Sequence, residues 1–245
     1  MVTSALNKIL KGEKMNRRVY VGYDPREDIA YQVCKYSIES RSPGVEVIPL
    51  KQKELRNYEL YWRAPDPMAS TEFTFTRFLV PELNKFEGWA LFCDSDIVFT
   101  EDVNNLFDQA DDQYAVMCAK HDYTPEEGIK MDGQVQTQYP RKNWSSVVLF
   151  NCAHSSNASL TKERVSDESK TGAYFHRFQW LKDQEIGGFS HEWNWLVNWY
   201  EYEKDGIPRG IHWTEGGPWF DDPQYRWCEF GDIWKSELMK MMYSR

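Results

Sequence analysis

Apolar positions along this chain alternate between two rhythms, one suited to strands and one to helices. Residues 18–23 (RVYVGY) form a short β-rich run that ends at the turn signal Asp24-Pro25. From Glu27 to about Ser40, the positions Ile29, Ala30, Val33, Cys34 and Ile38 recur at helical spacing, and residues 45–50 predict a second strand. Strand, helix and strand in quick succession mark a right-handed βαβ crossover, and so an α/β sheet.

The pattern continues in short elements. After a loop with Pro65 and Pro67, residues 70–80 predict a helix capped by Ser70 or Thr71 and closed or kinked by Pro81. Residues 89–93 (WALFC) are continuously apolar, which predicts a buried strand, and Asp94-Ser95-Asp96 follows at its carboxyl end. Residues 102–109 fit a short helix and 114–119 a further buried strand, whereas 120–143 are polar and irregular. A strand is expected at 147–150, helices at 168–181 and 233–242, and Gly-rich turns at 207–218; residues 193–202 are aromatic and of uncertain type. Residues 1–15 read as a flexible leader before one domain at 16–245, with a donor-binding half up to 120 and an acceptor-binding half beyond.

Composition narrows the functional classes. The 245 residues carry 29 Lys+Arg against 38 Asp+Glu, a formal net charge of −9. With no cationic surplus to release counterions, a nucleic-acid polymer is a poor partner. No apolar run approaches the ~20 residues that span a bilayer, and the leader lacks the apolar core of a signal peptide. A cytoplasmic location is therefore expected. The five cysteines are scattered, with no close pairs for a zinc site or disulfide framework, and Cys34, Cys93, Cys118 and Cys152 read as small buried hydrophobes. Of the aromatic residues, Trp62, Trp89 and Phe92 are expected in the core. Trp144, Trp180, Trp193, Trp195, Trp199, Trp213 and Trp219 concentrate in the second half, where one could form a platform for a sugar.

Two constellations could carry chemistry. In an open α/β sheet, ligands bind outside the carboxyl ends of the strands. Asp94 and Asp96 stand there, one residue apart, able to reach a single hard cation such as Mg²⁺ or Mn²⁺ that leaves positions open for a diphosphate; a solvated turn is the bland alternative. The second is residues 211–219, where His212 precedes Gly216 and Gly217, backbone that a phosphate can approach; a tight turn with a structural histidine is the alternative. Arg77, flanked by Phe75, Phe78 and Leu79, could point inward to an acidic site or outward to solvent. Asp183-Gln184-Glu185 alone reads as a solvated run. His121, Asp122, His191, Glu192, Trp193 and Asn194 could line an acceptor side, although surface or core contacts are the better expectation for them.

In this order the motifs resemble the glycogenin-like and lipooligosaccharide galactosyltransferase-like family, retaining sugar-nucleotide transferases of the GT-A fold. The resemblance runs from about Arg18 to Trp219. Residues 76–83 (TRFLVPEL) are similar to a family helix whose arginine contacts the donor, 91–96 (LFCDSD) to its metal motif, Asp183-Gln184 to its pair beside the reacting sugar, and 212–218 to its third-ligand loop. It implies an α/β, Rossmann-like, mainly parallel mixed sheet flanked by helices. It further implies Mn²⁺ or Mg²⁺ on Asp94, Asp96 and His212, and a donor, a UDP-sugar such as UDP-glucose or UDP-galactose, held by Tyr23, Asp24, Ser95, Gly216 and Gly217. Arg77, Asp183 and Gln184 would serve catalysis toward a carbohydrate or glycoconjugate acceptor. Two departures stand out: Trp144-Ser145-Ser146 replaces the family's Asn-(Ser/Ala)-Gly, and Trp219-Phe220 follows Pro218 where a diphosphate-binding lysine is usual. A sugar-1-phosphate nucleotidyltransferase and a non-catalytic carbohydrate-binding protein are the competing readings.

Overall fold

A computed structural model describes residues 17–67, 69–122, 128–129, 135–136, 140–202, 208–222, 225 and 227–244; the expected leader lies outside them. Among these, the strands are β1 (Arg17–Gly22), β2 (Val45–Leu50), β3 (Trp89–Cys93), β4 (Ile97–Phe99), β5 (Val116–Ala119), β6 (Gly128–Ile129), β7 (Val135–Gln136), β8 (Val147–Asn151), β9 (Ile186–Phe189), β10 (Trp195–Leu196) and β11 (Gly210–His212). Six of them form the main sheet in the order β2-β1-β3-β8-β5-β9. β1 is parallel to β2 and β3, β8 is antiparallel to both β3 and β5, and β5 is parallel to β9. The mixed, mainly parallel sheet agrees with the sequence-based expectation.

Helices cover both faces, which is why the central strands are apolar throughout. Alternate residues serve two cores: Tyr20, Phe92, Val148 and Phe150 pack with Phe78, Phe175 and Phe178 on one face. Val19, Val21, Leu91 and Leu149 pack with Cys34, Ile38 and Trp193 on the other. Cys34 and Ile38 come from helix Asp28–Glu39, as its spacing predicts. All five cysteines are free thiols, and all but Cys228 are buried.

A second, three-stranded sheet, β10-β11-β4, places the site. β4 leaves the main sheet only three residues after β3 ends, and it pairs antiparallel with β11 so that Ile97 stands opposite His212. At the other end of that pairing, a Cβ on Gly210 would fall 2.5 Å from the carbonyl oxygen of Trp193, so the backbones approach as only glycine permits. Trp195, Ile211, Trp213 and Trp234 pack around this sheet beneath helix Gly231–Tyr243. Arg41 of the segment after Asp28–Glu39 fastens that helix through both carboxylate oxygens of buried Glu237, at 2.8 Å each.

Several local expectations need correction. The helix expected at 70–80 is only a 3₁₀ turn, Thr76–Leu79, followed by the helix Val80–Leu83. Pro81 sits in the first turn of that helix, where its missing N–H costs nothing, so it opens a helix instead of closing one. Between 168 and 181 only Gly172–His176 is helical, because Phe178 adopts φ 51° and ends it. Trp62 is 50% exposed, whereas Phe92 is buried as expected. Trp193, Trp195 and Trp213 are core residues, not surface platforms. No helix among the described residues is long and apolar enough to cross a membrane.

Candidate functional site

The break between the two sheets creates the site. Asp94-Ser95-Asp96 spans it, with the Asp94 amide donating to the Ser146 carbonyl (2.9 Å) just before β8 and the Asp96 carbonyl accepting from the Trp213 amide (3.1 Å) just after β11. Strand pairing thus draws three side chains together: one ligand atom each from Asp94, Asp96 and His212 lies within 4.8 Å of the others. His212 Nε2 stands 3.3 Å from Asp96 Oδ1.

The hydrogen bonds around His212 test whether a metal fits. Asn194 Nδ2 donates to the Asn143 carbonyl (3.1 Å), which turns Asn194 Oδ1 toward His212 Nδ1 at 2.8 Å. An amide oxygen accepts only, so the imidazole proton belongs on Nδ1 and the Nε2 lone pair faces the Asp96 carboxylate. Two acceptors facing each other beside a second carboxylate, that of Asp94, are a donor set that a divalent cation satisfies. Among the described residues, this set is the one cluster of three or more His, Cys, Asp or Glu ligands with that geometry.

The charges around it are crowded. Burial pushes Asp94 up to about 6, against the pull of Arg77 and with the help of Asp96. Arg77 is itself buried, pairs with Asp94 at 2.8 Å, and donates to the carbonyls of Ser145 (2.9 Å) and Phe73 (3.3 Å). Its inward orientation resolves the choice that the sequence left open. On the β1 side, buried Glu27 accepts from Trp219 Nε1 at 3.0 Å and is raised to about 7 by burial, then by Asp96 and Asp24.

Glu27 predicts a pH dependence. Its folded-state value lies above its unfolded one, so its contribution is fully favourable below about pH 4.5 and is lost as pH rises through 7. In EDTA, Glu27 should contribute a fall in stability of about 3 kcal/mol across that window, beside a fall of the same sign from Asp94. Thermal melts at stepped pH check this, and Glu27→Gln should flatten the profile; an equally steep profile in that variant would contradict the assignment.

The other expected donor residues fall in varied settings. Tyr23 lies beside Tyr31, its hydroxyl donating to Asp28 at 2.9 Å, with Lys51 Nζ 4.8 Å above its ring. Asp24 is buried and turned into its own loop. Burial raises it, but bonds from the Arg26 side chain and amide and the Glu72 amide hold it below its ordinary value. Ser95 is buried between the two aspartates. Gly216, at φ +116°, and Gly217 lie against the rings of Tyr225 and Trp219, which fill the room that glycine leaves.

Asp183 and Gln184 are not brought to this cluster. They immediately precede β9, whose first residue Ile186 stands across from Val116, Val116 across from Phe150, and Phe150 across from Ala90 near the start of β3. Asp94 follows the other end of β3. Asp183 is 79% exposed in its side chain and pairs with Arg141 at 2.5 Å. Close to Asp94 stand instead Ser145, Ser146 and, through a 2.8 Å contact between its Nδ1 and Ser145 Oγ, His176. Of these only the Ser145-Ser146 substitution left a signal in the sequence, and His176 left none.

Comparisons place this geometry among known proteins. No protein-family model matches the chain. Protein CDI of Arabidopsis thaliana is 52% identical over 230 residues, which cover 92% of this chain and 87% of that protein. Among solved structures, the glycosyltransferase GlyE of Streptococcus pneumoniae TIGR4 superposes with a TM-score of 0.61 at 14% identity over 94% of this chain. The chain spans 63% of the GlyE chain, less than two thirds of its length. The galactosyltransferase LgtC, solved with donor and acceptor sugar analogs, superposes with a TM-score of 0.51 at 10% identity over 91% of this chain and 95% of its own. The chain has the GT-A glycosyltransferase fold and belongs to the family of Protein CDI.

Proposed function

We propose that this protein is a metal-dependent glycosyltransferase that moves a hexose from a nucleoside-diphosphate sugar, UDP-glucose or UDP-galactose, to a glycan or glycoconjugate acceptor with retention. What carries the reading is the Asp94, Asp96 and His212 cluster at the carboxyl end of a central strand, on a fold shared with sugar transferases. When bound there, Mn²⁺ or Mg²⁺ supplies charge neutralisation for a departing diphosphate. Asp94, Asp96 and His212 are the residues that would hold it.

The chain's own groups do the rest. Arg77 holds the Asp94 carboxylate in place and balances its charge where both side chains are largely buried. Asn194 fixes the His212 tautomer so that Nε2 faces inward. Buried Ser95 keeps the two aspartates on a rigid link. Tyr23 lies on the β1 side, where the resemblance puts the nucleoside. With three tryptophans committed to the core, Trp144, Trp180, Trp219 and half-exposed Trp199 are the aromatic faces left for an acceptor.

A panel of UDP- and GDP-hexoses tests the function, with hydrolysis and transfer followed in Mn²⁺, in Mg²⁺ and in EDTA. At least one UDP-hexose should turn over with either metal and none in EDTA. Failure of every nucleotide sugar, or formation of UDP-hexose from UTP and hexose 1-phosphate, would replace this reading with binding or nucleotidyl transfer respectively.

A further inference from the structure

The transferred sugar needs partners beside the metal cluster; Asp183 is linked through Arg141 to the Arg177 carbonyl, next to His176. The order of strands says where that sugar lies. The metal motif ends β3, with β1 on one side and β8 on the other. With the nucleoside on the β1 side beside Tyr23 and the diphosphate at the metal, the sugar attached to the second phosphate falls over the start of β8. The groups there are Ser145 and Ser146, Arg77 and the end of helix Gly172–His176.

His176 is held there from two directions. Nδ1 lies 2.8 Å from Ser145 Oγ, and the ring stands edge-on to Phe78 at 5.3 Å between centroids. Burial, then Arg77, lowers it to about 3, so the imidazole is neutral at physiological pH. Among the described residues Nε2 makes no hydrogen bond, and it is not one of the atoms closed off from solvent. Whichever way the proton lies between Ser145 and Nδ1, a sugar hydroxyl satisfies Nε2, because a hydroxyl both donates and accepts. A carboxylate or an ammonium would suit only one tautomer.

We propose that His176, oriented by Ser145, grips a hydroxyl of the transferred hexose and so helps to select the donor sugar, a role that rests on the glycosyl-transfer reading.

Calorimetric titration of the full chain in Mn²⁺ separates the outcomes, with UDP, UDP-glucose and UDP-galactose as probes. UDP carries no hexose, so His176→Ala should bind it within about twofold of wild type, which also shows that the variant is folded. The hexose-bearing nucleotide that wild type prefers should bind about tenfold more weakly to His176→Ala. His176→Gln should recover part of that loss, because its amide can donate and accept at a similar reach. Equal losses for UDP and UDP-hexose, or no loss for either, would overturn the proposal while leaving glycosyl transfer standing. A wild-type chain that binds no UDP in Mn²⁺ would overturn the glycosyl-transfer reading and this role with it.

Discussion

Asp96→Ala is expected to lower metal-dependent turnover of a nucleotide sugar by at least about a hundredfold. The carboxylate is the central member of the cluster, facing His212 Nε2 at 3.3 Å and raising both Asp94 and Glu27 by its charge. Its loss removes a ligand and a negative charge together. The variant should still fold, because the contact that joins the two sheets at this residue uses the Asp96 carbonyl and the Trp213 amide, not the side chain. Stability in EDTA should hold or rise, since a crowded acid has gone. Steady-state turnover with and without Mn²⁺, beside a denaturant melt, gives both numbers. Wild-type rates in a well-folded Asp96→Ala would sink the metal assignment.

Arg77→Ala should have the opposite signature, costing about 3–5 kcal/mol of stability. Removing the guanidinium strands Asp94, whose side chain is only 13% exposed, as a charge without its counterion. It also leaves the Ser145 carbonyl without its side-chain donor. Arg77 further lies over the rings of Phe92 and Phe73, at 4.9 and 5.2 Å. Arg77→Lys should recover little, because an ammonium cannot reproduce the planar fork. Adding Asp94→Asn to Arg77→Ala should restore part of the loss by removing the stranded charge. A urea unfolding series gives the result; a cost below about 1 kcal/mol in the single variant would show that the pair is not buried in solution.

How much of the site could be read in the sequence depends on how local each signal is. WALFC followed by Asp94 and Asp96 is visible because a strand buried on both faces needs no partner to look buried, and two acids cannot lie within it. Arg77 is half-legible: flanking phenylalanines argue for an inward side chain, but they do not say which carboxylate it meets. His212 shows only as a histidine near glycines, and its real cause is the pairing of β11 with β4, which no local pattern encodes. Asp183-Gln184 spells a familiar pair, yet its position is set by the strand after it. Here β9 begins two residues after Gln184, and Asp183 is held on Arg141 and not on Asp94. Ser145 and His176 are 31 residues apart and meet only through tertiary packing.

The pairing of β11 with β4 also limits how this protein can vary. Sliding β11 by one residue would put Ile211 or Trp213 opposite Ile97 and turn the imidazole to the wrong face. Gly210 guards against that slip, because the Trp193 carbonyl leaves no room for a Cβ at its rung. The imidazole's place is therefore set by a steric key at one end of the strand and not by the length of the chain leading to it. A single methyl group at position 210 would meet the Trp193 carbonyl and strain the rung that holds the imidazole in register.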